Sequence, residues 1–376
     1  MNPTDASIRT AADRPARPTS RPMRVLLVGP NSIHFRRYLD SLSAASIVEL
    51  RLVTNQMCGG QRNWFSDLSG ERVAYSRFAL RNPLAMRTSA RVIRQHADRL
   101  GAELIHAHQV NVYAFAAASA ARRSRLPLVL TAYGSDIQTA PAESAVLRYL
   151  VRRSLRQASR IISESRSLID EIERLEPGSG IRTRRIPFPL PRIGGGQAKE
   201  LLAYSNRWHE PNYRIDRVLH AIARLRAEVG PGLRTVIAGE GSETPALKRL
   251  AGELGLEECT EFVGWVDATR NAQYYARASY FLSLPDKDAY SISVQEAMQS
   301  GCLPILSDIP CNRELVIHGI NGVLLDATGG GLEAVSTIDP ELARQLNRGL
   351  IERTTSAEVC VPAFLQVYSE ALGLPK

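Results

Sequence analysis

Two carboxylates with seven residues between them, Asp288 and Glu296, stand in the stretch PDKDAYSISVQEAMQSG. Ser293 and Glu296 have the S-x-x-E spacing of a capping box, which predicts a helix N-terminus there. Backbone N–H groups around Ser293–Gln295 would then point at any phosphate bound at that terminus. A carboxylate directed at ribose or sugar hydroxyls beside such an anion site suits a nucleotide sugar. The same spacing equally fits a Glu296 that only caps its helix and an Asp288 that is a solvated loop acid. A second chemical candidate is the pair His106 and His108 in ELIHAH, which a two-residue period puts on one side of a strand. Buried, hydrogen-bonded imidazoles are the alternative reading.

The elements that must position these groups read as alternating strands and helices. Tyr280–Leu284 and Leu303–Leu306 are short apolar runs of buried-strand length, Pro285 opens a polar loop, and Gly301 stands where a helix would stop. Asn321-Gly322 turns the chain into the strand Val323–Leu325. Parallel strands linked by helices gather loops and helix N-termini at the carboxyl edge of the sheet, where open α/β folds bind ligands.

The order D-x7-E, A-M-x-S-G-x-x-P-I and R-E-L-V-x-x-G-x-N-G resembles the donor-binding block of the family-four retaining glycosyltransferases. The resemblance implies the GT-B fold, with two Rossmann-like doubly wound parallel-sheet domains facing a central cleft. It covers about residues 23–376. It implies that Asp288 approaches the hydroxyls of the donor sugar and Glu296 holds the ribose. The family usually has glutamate at the first position, and aspartate shortens that reach by one methylene. NRWHEPNYRI is similar to the family loop whose leading arginine meets the donor diphosphate, a role that passes to Arg207. The family lysine is missing, and Arg214 is the nearest cation. Gly29 in the first βα loop, Gly239 in GEGSE, and Trp265 with Val266 in F-V-G-W-V complete the implied donor side with Ser293. IHAH and TAYGSD occupy the family's acceptor-side motifs, so His108, Tyr133 and Asp136 are expected there, Tyr133 replacing the usual histidine. The implied catalytic set is Arg207, Asp288, Glu296 and His108. The family needs no metal, the two histidines lack a third ligand, and no G-x-G-x-x-G dinucleotide fingerprint is present. No cofactor is therefore expected beyond the nucleoside diphosphate sugar itself.

Along the chain, residues 1–22 are polar and proline-rich and read as a disordered leader. An acceptor-side Rossmann-like domain is expected over 23–190 and a linker over 191–199, where prolines and three successive glycines meet. The nucleotide-sugar domain follows over 200–360. A last helix over 361–376, which in this fold commonly crosses back to the first domain, is expected after Pro362.

The 376 residues carry 47 Lys plus Arg against 38 Asp plus Glu. The excess is unevenly placed, because residues 1–190 hold 29 arginines, no lysine and 15 carboxylates. A basic first half calls for an anionic partner, a phospholipid surface or a lipid-linked or saccharide acceptor bearing phosphate. The helix expected over 84–100 gathers Arg87, Arg91, Arg94 and Arg99 roughly on one face. Nucleic acid is not expected, since no aromatic platform or recognition motif accompanies the charge. Five cysteines without a C-x-x-C, no secretory h-region and no apolar run of membrane length point to a cytoplasmic protein, attached peripherally to the inner face of the membrane if at all. The function expected is transfer of a sugar to a hydroxyl acceptor in envelope polysaccharide or glycolipid synthesis. A nucleotide-sugar epimerase and a non-catalytic sugar-nucleotide or membrane-binding protein of the same fold are the alternatives.

Overall fold

The structure is a computed structural model that describes residues 21–55, 63–80, 82–193 and 198–374. Nearly all of the expected leader, Cys58 and the three linker glycines 194–196 lie outside the described residues. Two compact units are formed, one from Met1–Glu164, Leu168–Pro189 and Cys360–Lys376, the other from Ser165–Ser167 and Leu190–Val359.

The first unit is built on seven parallel strands: β1 (Met23–Gly29), β2 (Val48–Asn55), β3 (Val73–Ser76), β4 (Leu104–His108), β5 (Leu128–Thr131), β6 (Arg160–Ser163) and β7 (Thr183–Arg185). Their order is β3-β2-β1-β4-β5-β6-β7, the Rossmann order extended by one edge strand. MRVLLVG and LIHAH are buried along nearly their whole length, as parallel strands covered on both faces must be.

The second unit has six parallel strands: β8 (Glu200–Ser205), β9 (Arg234–Ala238), β10 (Thr260–Gly264), β11 (Ala278–Ser283), β12 (Leu303–Ser307) and β13 (Val323–Leu325). The order β10-β9-β8-β11-β12-β13 repeats the Rossmann pattern. Alternate residues divide its core between two faces. Ala203, Ile237 and Leu282 meet Val218, Leu219, Ile222 and Leu225 of the helix Ile215–Val229, while Tyr204, Phe281 and Leu306 meet Val294 and Met298 on the other side.

Several expected elements are corrected. Arg184 and Arg185, just before the prolines that lead to the expected linker, end β7, paired to β6 through Ile162↔Arg184 and Ser163↔Arg185. Helices Val112–Ser124 and Pro340–Thr355 add to the expected set. The last helix runs from Ala357 to Leu372 and passes through Pro362, which lies inside it. At the sixth helical position Pro362 forgoes the N–H that would reach the Glu358 carbonyl, so the helix continues through it with one backbone hydrogen bond fewer.

Candidate functional site

In a Rossmann sheet the strand order reverses between the first and fourth strands, and the loops that leave them diverge to opposite faces and open a crevice. In the second unit those strands are β8 and β11. The loop after β8 carries Asn206-Arg207-Trp208, and the loop after β11 carries Asp288 and leads into the helix Ile292–Gln299. Residues 81 apart in sequence meet here: the Arg207 guanidinium donates to Asp288 Oδ2 at 2.7 Å. It also donates to the Ser291 hydroxyl and lies over the Tyr213 ring, 4.7 Å from its centroid. Two of the five N–H donors of a guanidinium are thus used, and three remain. Burial, the largest single influence, lowers the Arg207 pKa, but the Asp288 carboxylate together with Tyr213 and Tyr275 outweighs it and the net shift is upward. Arg207 is a fixed cation with its fork held in one orientation.

Ser291, two residues before the expected Ser293, is the N-cap of the helix: its hydroxyl accepts from Val294 N–H at 3.4 Å and its carbonyl from Gln295 N–H at 3.2 Å. The capping box expected at Ser293–Glu296 is therefore absent, and Glu296 lies beyond the first turn. The N–H groups without an intrahelical partner are those of Ile292 and Ser293. The helix stops as expected: Gly301 takes a positive φ of 84°, and Gly301 and Cys302 donate to Met298 and Ala297 in a Schellman ending. Glu296 is buried, close enough to Tyr204 and Tyr275 that its charge adds to burial in raising both phenols.

Gly239 shows why GEGSE follows β9. Its φ is 114°, and a Cβ there would stand 2.3 Å from the Arg207 carbonyl oxygen. A side chain at Gly241 would likewise press on His209. Both glycines let the two loops lie backbone against backbone. Beside them is a recess lined by Asn206, Trp208, Gly239, Trp265, Val266 and Asn271. Trp208 and Trp265 are 55% and 56% exposed, large apolar faces left in water at the mouth of a polar pocket. Asn206 Nδ2 is held by Asn271 at 2.8 Å and Tyr275 at 2.7 Å, while its buried Oδ1 has no hydrogen-bond partner. Trp208 and Ser291 are additions to the expected site residues. Trp208 adjoins Arg207 in sequence, and that adjacency is the one signal that could have found it. Arg214 sits apart from Arg207, in a left-handed conformation (φ 48°), and its guanidinium is taken up by Asp216 at 2.7 Å and Asp286 at 3.3 Å.

In the first unit the corresponding strands are β1 and β4. Gly29 ends β1, where a Cβ would meet the Phe35 ring at 3.0 Å and His108 Cβ at 3.1 Å. His106 and His108 do share one side of β4, with ring centroids 4.4 Å apart. His106 is enclosed: Nδ1 meets Tyr368 Oη at 2.8 Å and Tyr38 Oη at 3.2 Å, and Nε2 meets Thr131 Oγ1 at 2.7 Å. That leaves neither nitrogen for a metal. Burial pushes its pKa down to about 3. His108 is also buried and its pKa is lowered, by burial first and by His106 second. Its Nδ1 meets Tyr133 Oη at 3.1 Å, and its Nε2 has no partner. Asp136 is committed to the backbone, accepting from Val110, Tyr133 and Gly134 N–H at 2.6, 3.0 and 2.8 Å. It shapes the loop that presents Tyr133. Tyr368 and Glu370, the latter paired with Arg160 at 2.9 Å and Arg184 at 3.1 Å, tie the C-terminal helix into this unit.

Two parallel sheets of Rossmann order, each with helices on both faces, are the GT-B fold. Residues 195–330 match the family model of glycosyl transferases group 1, and residues 32–189 that of the glycosyl transferase 4-like domain. The chain belongs to the group 1 glycosyltransferases. It is 26% identical over 275 residues to an N-acetyl-alpha-D-glucosaminyl L-malate synthase of Bacillus anthracis, covering 68% of this chain and 70% of the relative. It is 23% identical over 292 residues to a GDP-mannose:cellobiosyl-diphosphopolyprenol alpha-mannosyltransferase of Xanthomonas campestris, covering 73% and 76%. Among solved structures, Anabaena HepE in complex with UDP and glucose superposes with a TM-score of 0.73 over 92% of this chain and 99% of that one, a likeness of fold at 15% identity. Among the described residues no helix is long and apolar enough to cross a membrane.

Proposed function

We propose that the protein transfers a sugar, with retention of configuration, from a nucleoside diphosphate sugar to a hydroxyl of a lipid-linked or saccharide acceptor in glycolipid or envelope polysaccharide synthesis. The observation that carries the reading is Arg207, oriented by Asp288 and Ser291 beside the N-terminus of the helix Ile292–Gln299. A donor diphosphate laid across this point meets the spare guanidinium donors and the free N–H groups of Ile292 and Ser293. Both stabilise negative charge as the sugar–phosphate bond lengthens. This fixed positive charge supports leaving-group departure without a metal ion. Trp208 and Trp265 offer stacking faces for the base, Glu296 a carboxylate for the ribose, and Asp288 a carboxylate for the sugar. The bond between the anomeric carbon and the phosphate oxygen breaks, the acceptor oxygen takes its place on the same face, and its proton passes to the departing phosphate. His108 and Tyr133 stand on the acceptor side. The relatives' names support the acceptor class, since one acts on a cellobiosyl-diphosphopolyprenol. The basic first unit suits work at the inner face of a membrane.

The test is a thermal-shift screen of UDP-, GDP- and ADP-sugars without added metal on the wild type and on Glu296→Ala, because a ligand of the folded state raises its melting temperature. One nucleotide class stabilising the wild type alone is the expected result, followed by NMR assignment of the anomeric configuration in the product. No shift with any donor at saturating concentration, on folded protein, overturns the reading.

A further inference from the structure

Helix Pro83–Leu100 packs on helix Val112–Ser124, which packs on helix Ala145–Gln157. All three precede strands of a parallel sheet and run opposite to them. Their N-terminal turns therefore emerge at the carboxyl edge of the sheet, the edge that carries Gly29, His108 and Tyr133. The two outer helices begin alike. Leu84 is 71% exposed in the first turn of one, and Val146 and Tyr149 are 56% and 59% exposed in the first turns of the other.

Arginines follow the apolar tips in both. Arg87 and Arg91 lie three and seven positions after Leu84, on the same stripe and exposed. At 1.5 Å per residue they stand roughly 5 and 10 Å farther from the sheet edge than Leu84. On the second helix Arg153 continues the Val146–Tyr149 stripe, while Arg152 and Arg156 are taken up by Glu176 at 3.0 and 2.9 Å. Arg87, Arg91 and Arg153 have no ion pair among the described residues, although arginine–carboxylate pairs are frequent in this chain, two of them on this same second helix. Apolar side chains at a tip with unpaired guanidinium groups one to two turns behind match the layering of a bilayer surface, hydrocarbon first and phosphate next. Duplex nucleic acid would find the arginines but nothing for the leucine and valine.

We propose that this rim of the first unit docks on an anionic phospholipid bilayer, with Leu84, Val146 and Tyr149 entering the interface and Arg87, Arg91 and Arg153 meeting lipid phosphates. The inference rests on the acceptor reading above only for its purpose. A rim at the same sheet edge as His108 and Tyr133 presents those residues to a hydroxyl carried by a lipid.

The test is vesicle flotation of the full chain with phosphatidylcholine alone and with phosphatidylcholine mixed with phosphatidylglycerol. Wild type, Arg87→Glu/Arg91→Glu and Leu84→Ser/Val146→Ser/Tyr149→Ser are compared at low and high salt. The expected result is binding to the anionic vesicles only, weakened by salt and weakened at least about tenfold in each variant. Melting temperatures and nucleotide-sugar shifts of the variants stay at wild-type values, because all the changed side chains are on the surface, so a folding defect or a failed donor site is told apart from lost docking. Absence of flotation by the wild type, or flotation that both variants retain, overturns the proposal. So does retardation of duplex DNA at physiological salt that Arg87→Glu/Arg91→Glu abolishes and the apolar variant keeps.

Discussion

Arg207 and Asp288 stand 2.7 Å apart although they are 81 positions apart in sequence, each delivered by a different strand at the point where the second sheet reverses its order. With the Ser291 hydroxyl as a third member, the guanidinium is held at two points, so its remaining donors have a set direction.

Replacing Arg207 by alanine should lower the turnover of sugar transfer about 10²–10³-fold, the cost of losing one preorganised donor to a developing charge. Arg207→Lys should recover little of it, because an ammonium cannot bridge Asp288, Ser291 and a phosphate in one plane. Steady-state kinetics of the two variants check this, with a comparable loss in both as the expected pattern.

Gly239→Ala tests the backbone contact and not the charge. A methyl group at φ 114°, 2.3 Å from the Arg207 carbonyl, must push the Asn206–Trp208 loop away. A loss of about 1–3 kcal/mol in urea unfolding is expected, together with weaker donor binding. Unchanged donor affinity would detach this glycine from the site.

The exposed indoles make a binding prediction that needs no turnover. Trp208→Ala and Trp265→Ala should each weaken the nucleotide roughly fivefold to tenfold, and the wild-type tryptophan emission should change on titration. Asn206→Ala removes an unpartnered buried acceptor and tests whether the pocket spends it on a ligand donor.

Acid should unfold the first unit early. His106 is neutral down to about pH 3 in the folded state and protonates near 6.5 when unfolded. Between those values the unfolded chain binds the extra proton, so stability is lost as pH falls below about 6.5, at about 1.4 kcal/mol per pH unit for each such histidine. His108, shifted the same way, adds to the slope. Urea unfolding from about pH 7.5 to 5 should show this slope, and His106→Gln should reduce it by one proton.

Much of the architecture was legible because a parallel sheet announces itself locally. Apolar runs such as MRVLLV and YFLSL have the length of buried strands and are bounded by turn residues, and the glycine after AMQS ends its helix by a purely local mechanism. Elements whose identity depends on distant partners were not legible. Thr183–Arg185 has no apolar run and becomes a strand only because β6 offers it an edge. In DAYSIS two serines could cap the helix, and Ser291, which caps it, also accepts from Arg207, a partner that a local spacing rule cannot see. Arg214 in NYRID is taken up by the neighbouring Asp216, which the sequence could have shown, and by Asp286, which only the fold brings to it. His106 reads as a site residue from IHAH, yet both nitrogens are taken, one by a tyrosine 262 positions away.

That last contact bears on how the chain is made. Because Tyr368 closes the core around His106 and Tyr38, the first unit lacks a piece of its interior until the segment from Cys360 onward is made, whereas all of the second unit lies before residue 360. On the ribosome the later segment can reach its native state while the earlier one waits, with two imidazoles and the Tyr38 ring open to water. Emergence of the segment Cys360–Lys376 is the event that completes the amino-terminal half.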